Sequence, residues 1–427
     1  MFAQRDEIEK RQLEQLQTLL RLTRAQNPFY QEKLAGLALE AAPLSLSSPL
    51  PFTTKAEIVA NQLAHPPFGT NLSYPPTAYT RYHQTSGTTG IPIRWIDDPA
   101  SWAWMVDSWY RIFQAAGVTS EDRIYFAFSF GPFIGFWLAF EAGQKLGALC
   151  LPGGGMSTSS RLQGLLDTQS TVLCCTPTYA IRLGETIASE GRNPNDFKIR
   201  KIMVAGEPGG SVPQVRMRLK NLWPHATVFD HHGMTEVGPV SYACPSIPNR
   251  LHIMEERYFA EILNPVDTSP CPPGTPGELV LTTLGRLGSP LIRYRTGDLV
   301  ASHAGASCCE CGSWELALEG GILGRTDDMV VVRGVNVYPS AIEAIIRTFP
   351  EIEEFQVDVF EQNALTELSV NVEPRENTEN ARLIADLQRQ FQVLLNLRIP
   401  VKLAAPGQLP RFEMKARRWV KHPAPTH

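Results

Sequence analysis

The chain has 427 residues, a formal charge of −4, 43% hydrophobic and 19% charged residues. This is ordinary globular composition on a length that calls for two or three domains. It supplies no broad basic surface for nucleic acid or anionic lipid, so neither is expected as a partner. The eight cysteines are unevenly spread, with Cys308, Cys309 and Cys311 crowded together. That is not the framework of a small secreted scaffold and favours a reducing cytoplasm.

In chain order, residues 5–26 set Ile8, Leu13, Leu16 and Leu20 at helical spacing, predicting an amphipathic helix that ends near Asn27-Pro28. Pro51-Phe-Thr-Thr-Lys55 reads as a turn into a Thr-capped helix. Ile124–Phe140 carries no charge, but Gly131-Pro132 and Gly135 interrupt it. It is therefore a buried strand, a turn and a helix start rather than a membrane span. Ile124–Phe128, Thr171–Cys175, Lys201–Ala205 and Thr227–Asp230 read as strands between helix-length segments, which implies an α/β region with a mainly parallel sheet. Ala260–Leu263 and Glu278–Thr283 flank a Pro/Gly-rich turn, as in a small β subdomain. Beyond Gly324, Met329–Arg333, Phe355–Phe360 and Glu367–Val372 read as strands, with helices over Pro339–Thr348 and Ala381–Leu397. The expected architecture is a large N-terminal α/β region, residues 1–323, including a β subdomain at about 241–323. A mobile C-terminal α+β domain, residues 324–427, follows it.

Gln84-Thr-Ser-Gly-Thr-Thr-Gly-Ile-Pro92 is the strongest local signal for chemistry. Its small residues let a loop curl around an anion with backbone N–H groups and hydroxyls turned inward. No Gly-Lys-Ser/Thr follows, so it is not a Walker A loop. With Asn27–Tyr30, Pro51–Lys55, Gly206-Glu-Pro208, Gly233-Met-Thr-Glu236, Arg293–Asp298, Gly324–Asp328, Arg333–Pro339 and Lys415, it forms an ordered series along the whole chain. In that series the sequence resembles the adenylate-forming superfamily and, within it, the phenylacetate–CoA ligase family.

The resemblance implies an enzyme: ATP-dependent activation of an aromatic or related carboxylate, followed by transfer to coenzyme A. On it, Thr85, Ser86, Gly87, Thr88, Thr89 and Gly90 clasp the β/γ-phosphates, Glu236 holds Mg²⁺, and Thr235 donates to the α-phosphate. Asp298 accepts from the ribose hydroxyls with Arg325 nearby, Gly206, Glu207 and Pro208 border the adenine, and Asp230 and His232 complete the nucleotide site. His232 stands where an aromatic residue, usually tyrosine, would stack on the base; imidazole presents less area. Lys415 is the expected catalytic lysine of adenylation, although composition alone reads it as a solvated surface group. Met414 replaces a usual glycine, and Arg417, Arg418 and Lys421 are the neighbouring alternatives. Asp327 is the expected hinge of a C-terminal rotation between half-reactions.

Phe130, Phe133 and Phe136 fall where the family borders its acyl pocket and would suit a flat, apolar acid; an aromatic stripe is more often plain core. Cys244, His252, Cys309 and Cys311 do not have a standard zinc-finger spacing. They can still complete a closed Zn²⁺ site, with Cys308 an alternative to Cys309. A carrier protein or an amine or hydroxyl acceptor in place of coenzyme A stays open, as does a non-catalytic adenylate-fold binding protein. A homodimer is among the assemblies to expect.

Overall fold

The computed structural model describes residues 4–37, 50–85, 91–207, 209–304, 308–326, 328, 330–333, 335–362, 365–412 and 418–422. Among these, five parallel strands form the central sheet in the order Leu149–Pro152, Arg123–Phe126, Val172–Cys175, Lys201–Val204 and Thr227–Asp230. Four are the strands expected from sequence, each matched within about two residues at its ends. The edge strand Leu149–Pro152 went unread because it is only four residues long and follows helix Ile134–Leu146 after two residues, so its apolar side chains merge with the end of the helix in one run. One face packs on an aromatic-rich core including Trp102, Trp109, Phe113, Phe126 and Phe128. The other packs on helices Pro177–Ser189 and Pro213–Leu222 through Tyr179, Leu183 and Leu219.

The uncharged stretch after residue 124 is a strand, a turn and helix Ile134–Leu146, as its glycines and proline imply. No helix among the described residues is long and apolar enough to cross a membrane. Helix Arg5–Gln26 matches its expected span, and Thr54 caps Lys55–Ala64 through a capping box with Glu57.

The β region divides into two sheets, where the sequence suggested one small subdomain. One joins Ser241–Ala243, Arg250–Ile253 and Ala317–Glu319; the other orders Tyr258–Leu263, Gly277–Thr283, Tyr294–Val300 and Gly324–Arg325. The last pairing sets Arg325 opposite Asp298 and carries this sheet two residues past the expected boundary at 323. Beyond it, Val330, Val332, Ile342, Phe355, Val370, Leu387 and Phe391 join a hydrophobic core separate from the others. That core is built from sheet Val401–Leu403, Leu365–Pro374, Ile352–Gln362 and Trp419–Lys421 with helices Pro339–Ile346 and Asn380–Leu395.

Candidate active site

In open α/β sheets, ligands bind beyond the carboxyl ends of the strands. There, strand Thr227–Asp230 runs into His231, His232 and a tight hairpin, Gly233–Met234 against Gly238–Pro239. Asp230 is buried and accepts from Ser211 Oγ at 2.6 Å. A Cβ on Gly210 would lie 2.3 Å from its Oδ1, so the loop after strand Lys201–Val204 can close over it only with glycine there. Burial pushes its carboxyl up to about 6, against the opposing pull of Ser211 and Arg216.

His231 is buried edge-on to Trp109, ring centroids 4.3 Å apart, and burial with the neighbouring His232 pushes its imidazole down to about 3. It is a neutral wall. His232 is also buried, and its Nε2 meets Asp298 Oδ2 at 2.8 Å. Arg325 Nη1 donates to the other oxygen, Oδ1, at 2.9 Å. The imidazole expected to serve the base is thus tied to the expected ribose acceptor. Its Nδ1 is buried with no hydrogen-bond partner among the described residues.

Glu236, at the hairpin tip, is buried, with Tyr294 Oη 3.4 Å and Lys55 Nζ 3.9 Å from Oε1. Lys55 and Tyr294 join the candidate site through Glu236; their place there went unread, although both lie inside sequence motifs singled out above. The structure shows how those motifs are brought together. Tyr30 Oη hydrogen-bonds with Thr53 Oγ1 at 3.0 Å, and Thr53 Oγ1 donates to Ile292 O at 2.8 Å. Thr53 exchanges backbone hydrogen bonds with Arg293 and Arg295. Three segments distant in sequence therefore deliver Lys55 and Tyr294 to one carboxylate.

Thr85 is buried, and its hydroxyl accepts from Ile93 N at 3.0 Å, closing the base of the Gly-rich loop. Gln84 N donates to Pro132 O at 2.8 Å, joining that base to the turn before Phe133. Ser86, Gly87, Thr88, Thr89 and Gly90 lie outside the described residues, as do Pro208, Asp327 and Lys415. Gly206 has φ +93°, and Glu207 Oε1 accepts from Thr178 N at 2.8 Å at the start of helix Pro177–Ser189.

Of the alternatives to Lys415, Arg418 is occupied elsewhere: it is buried and donates to both Glu354 oxygens, at 2.7 and 3.1 Å. Arg411 pairs with the buried Glu373 on the other side of Lys415. Both flanks of the lysine segment are therefore pinned to strands Ile352–Gln362 and Leu365–Pro374.

Phe130 lies 5.1–6.4 Å, by ring centroids, from Phe126, Phe128, Trp137 and Phe140. It is part of an aromatic cluster at the carboxyl end of strand Arg123–Phe126. Phe133 is half-buried at the start of helix Ile134–Leu146, and the Phe136 side chain lies outside what the structure describes.

Away from this site, the ligand atoms of Cys244, His252, Cys309 and Cys311 all lie within 4.8 Å of one another. Cys244 and Cys309 sulfurs are 3.7 Å apart, and Cys311 Sγ is 3.4 Å from His252 Nε2. His252 Nδ1 faces the Glu315 carbonyl at 3.3 Å, which orients Nε2 toward the thiols. Cys308 is exposed and outside the group. Three thiols and an oriented imidazole fit a closed tetrahedral ion.

Asp230 generates a pH test. It ionises near 3.8 when unfolded and near 6 when folded, so the folded state binds the extra proton between those values. Stability therefore falls as pH rises from about 4 to 6, by on the order of 2–3 kcal/mol, and the cost is complete above that window. Asp230→Asn should remove this component, so that urea unfolding at pH 4.5 and 7.5 differs less than in the parent. Parallel pH profiles for the two proteins would contradict it.

The geometry can be set beside known proteins. The AMP-binding enzyme model matches residues 34–285, and the AMP-binding enzyme C-terminal domain model matches 334–422. Phenylacetate-coenzyme A ligase of Escherichia coli is 30% identical over 96% of this chain and 94% of its own length. The Pseudomonas putida enzyme of the same name is 29% identical over 96% and 93%. 2-Hydroxyisobutyryl-CoA ligase in the postadenylation state, bound to 2-HIB-AMP, superposes with a TM-score of 0.92 at 27% identity, covering 99% of this chain and 91% of that one. In its thioesterification state, with 2-HIB-AMP and CoA, the TM-score is 0.73 at 29% identity, over 98% and 90%. The chain belongs to the phenylacetate–CoA ligase family of adenylate-forming, AMP-forming carboxylate–CoA ligases.

Proposed function

We propose that this enzyme activates a flat, apolar carboxylic acid, aromatic by first choice, and passes it to coenzyme A. The observation that carries the substrate class is the aromatic cluster around Phe130, at the carboxyl end of the sheet and hydrogen-bonded through Pro132 to the base of the Gly-rich loop. The names of the phenylacetate-coenzyme A ligase relatives support the same class.

In the first half-reaction the carboxylate oxygen bonds to the α-phosphorus, the bond to the β-phosphate bridge breaks, and pyrophosphate leaves with the electron pair. Two anions must meet, so positive charge and fixed donors are the catalytic need. Lys55 and Arg325 bring charge to the rim of the site, and Asp298, held by His232 and Arg325, is the proposed ribose acceptor. The buried carboxylate of Glu236 is the residue that would hold Mg²⁺, which supplies charge neutralisation at the phosphates. Thr235 beside it is the proposed α-phosphate donor. Lys415 is the proposed counter-charge for the developing acyl-phosphate. In the second half-reaction the CoA thiol gives up its proton to water, its sulfur bonds to the acyl carbon, and the acyl–oxygen bond breaks so that AMP leaves with the electron pair; rotation about Asp327 is the proposed switch between the two. The division at about residue 323 and a cytoplasmic setting complete the reading, the latter supported by eight cysteines none of which is in a disulfide.

Pyrophosphate release with phenylacetate, benzoate and 2-hydroxyisobutyrate, with and without CoA, tests the reading. An aromatic acid should give the highest kcat/KM and CoA should convert the adenylate to thioester. A clear preference for the hydroxy acid would overturn the substrate class, and turnover that ignores CoA would overturn the acceptor. Lys415→Ala should lower adenylation by about 10²-fold or more while thioester formation from preformed acyl-adenylate persists. Equal loss of both half-reactions would remove Lys415 from its role.

We also propose that Cys244, His252, Cys309 and Cys311 hold a structural Zn²⁺, supported by the convergence of their ligand atoms. It would tie strand Arg250–Ile253 and the residue after Ser241–Ala243 to the 309–311 turn, so its binding energy would be folding energy. Protein purified without chelators should contain about one zinc per chain. Cys311→Ser should lower the thermal midpoint before it alters the kinetics of enzyme that remains folded. Metal-free protein with eight titratable native thiols would end the proposal.

A further inference from the structure

The hairpin tip Thr235–Val237 turns three consecutive carbonyls toward the interior, and buried donors bind every one. Arg286 Nη1 donates to Thr235 O and to Glu236 O, each at 2.8 Å, and Tyr258 Oη donates to Val237 O at 2.9 Å. The Arg286 side chain is fully buried, as is its partner Asp97, both at 0% exposure. Their pairing is two-pronged, with Nε to Oδ1 and Nη2 to Oδ2 both at 2.7 Å, and the guanidinium lies 5.1 Å over the Trp95 ring.

This arrangement is not explained by stability. A wholly desolvated ion pair is often no better than apolar residues of similar volume, because dehydrating both charges offsets their attraction. What the pair does provide is geometry. In extended backbone successive residues face opposite ways, so two neighbouring carbonyls converging on one nitrogen define a bent peptide. A planar guanidinium fixed by a carboxylate on one edge can hold that bend with the other edge; a lysine ammonium, a single point charge on a flexible stem, cannot do both. With all three carbonyls tied down inside, the side chains of Thr235 and Glu236 are set from beneath.

We propose that Arg286, oriented by Asp97, is a positioning residue for adenylation, fixing the Thr235–Glu236 peptide so that hydroxyl and carboxylate meet the nucleotide triphosphate and its Mg²⁺. The inference rests on reading Thr235 and Glu236 as nucleotide residues. It adds a pair of groups that touch no substrate and come from segments 189 residues apart.

The test is the double variant Arg286→Met with Asp97→Leu, which removes both charges together and leaves neither buried alone. Arg286→Lys and Glu236→Gln are measured alongside. The readouts are the thermal midpoint, its rise on adding ATP with and without Mg²⁺, the Mg²⁺ concentration for half-maximal pyrophosphate release, kcat, KM for the carboxylate, and thioester formation from preformed acyl-adenylate. The folded double variant should lose the Mg²⁺-dependent part of the ATP-induced thermal shift. It should need about tenfold more Mg²⁺ and release pyrophosphate about 100-fold more slowly, as a displacement near 1 Å of a reacting group would cause. Carboxylate KM and the thioester half-reaction should stay near parental values. Parental Mg²⁺ behaviour in the folded double variant, with Glu236→Gln impaired, overturns this inference and leaves the nucleotide reading standing. Parental behaviour in Glu236→Gln overturns the nucleotide reading itself. If the double variant does not fold, Arg286→Lys decides: a folded protein with unchanged Mg²⁺ half-saturation overturns the proposal.

Discussion

A carboxylate taken out of water must meet its compensation at the place where it is buried, and in this protein the partner almost always comes from far away in sequence. Asp298 meets His232 and Arg325, Asp97 meets Arg286, Glu354 meets Arg418, and Glu255 meets Arg5 across 250 residues. Each pairing tolerates only one register of the segments that carry it. The proposed nucleotide site is assembled by the first two of these pairings as much as by the sheet: the strand ends supply the position, and the ion pairs supply the angle.

The C-terminal unit obeys the same rule. Its lysine segment is bracketed by Arg411 on Glu373 and Arg418 on Glu354, so the two ends are held on neighbouring strands of one sheet. Arg418 Nη1 also lies 3.5 Å from Thr178 Oγ1, and Arg375 pairs with Glu185 at 2.9 Å, both on helix Pro177–Ser189 of the N-terminal region. Thr178 N is in turn the donor to Glu207. One anchor of the lysine segment, Arg418, therefore touches a residue, Thr178, that is itself hydrogen-bonded to Glu207 at the proposed adenine border.

The cysteine–histidine group is connected to the same hairpin through one strand. Cys244 follows Ser241–Ala243, and Ser241 Oγ accepts from His232 N at 3.0 Å. Tyr242 on that strand stacks on His252 with ring centroids 5.4 Å apart and donates to Glu315 at 2.7 Å, which Arg111 also binds at 2.6 Å. A closed metal site there would stiffen the backbone on which His232 hangs, a structural contribution to a site whose chemistry it does not touch.

Read alone, the sequence determined the family, the parallel sheet and most of its strands. Apolar runs and glycine-proline punctuation report local conformation, and the spaced motifs report order along the chain. It also brought forward the four metal-ligand candidates, because thiols and imidazole declare their chemistry by type. What it could not disclose was which groups meet. His232 looked like a substitute stacking residue, and the structure adds that its Nε2 is tied to Asp298; Lys55 starts a helix as expected, and it also stands 3.9 Å from Glu236. Arg286 carried no signal at all, since a lone arginine in a loop reads as a solvated charge. Only the tertiary structure decided that it is buried against Asp97 beneath the hairpin, because compensation of a buried charge is a property of three-dimensional neighbours and leaves no local pattern in the chain.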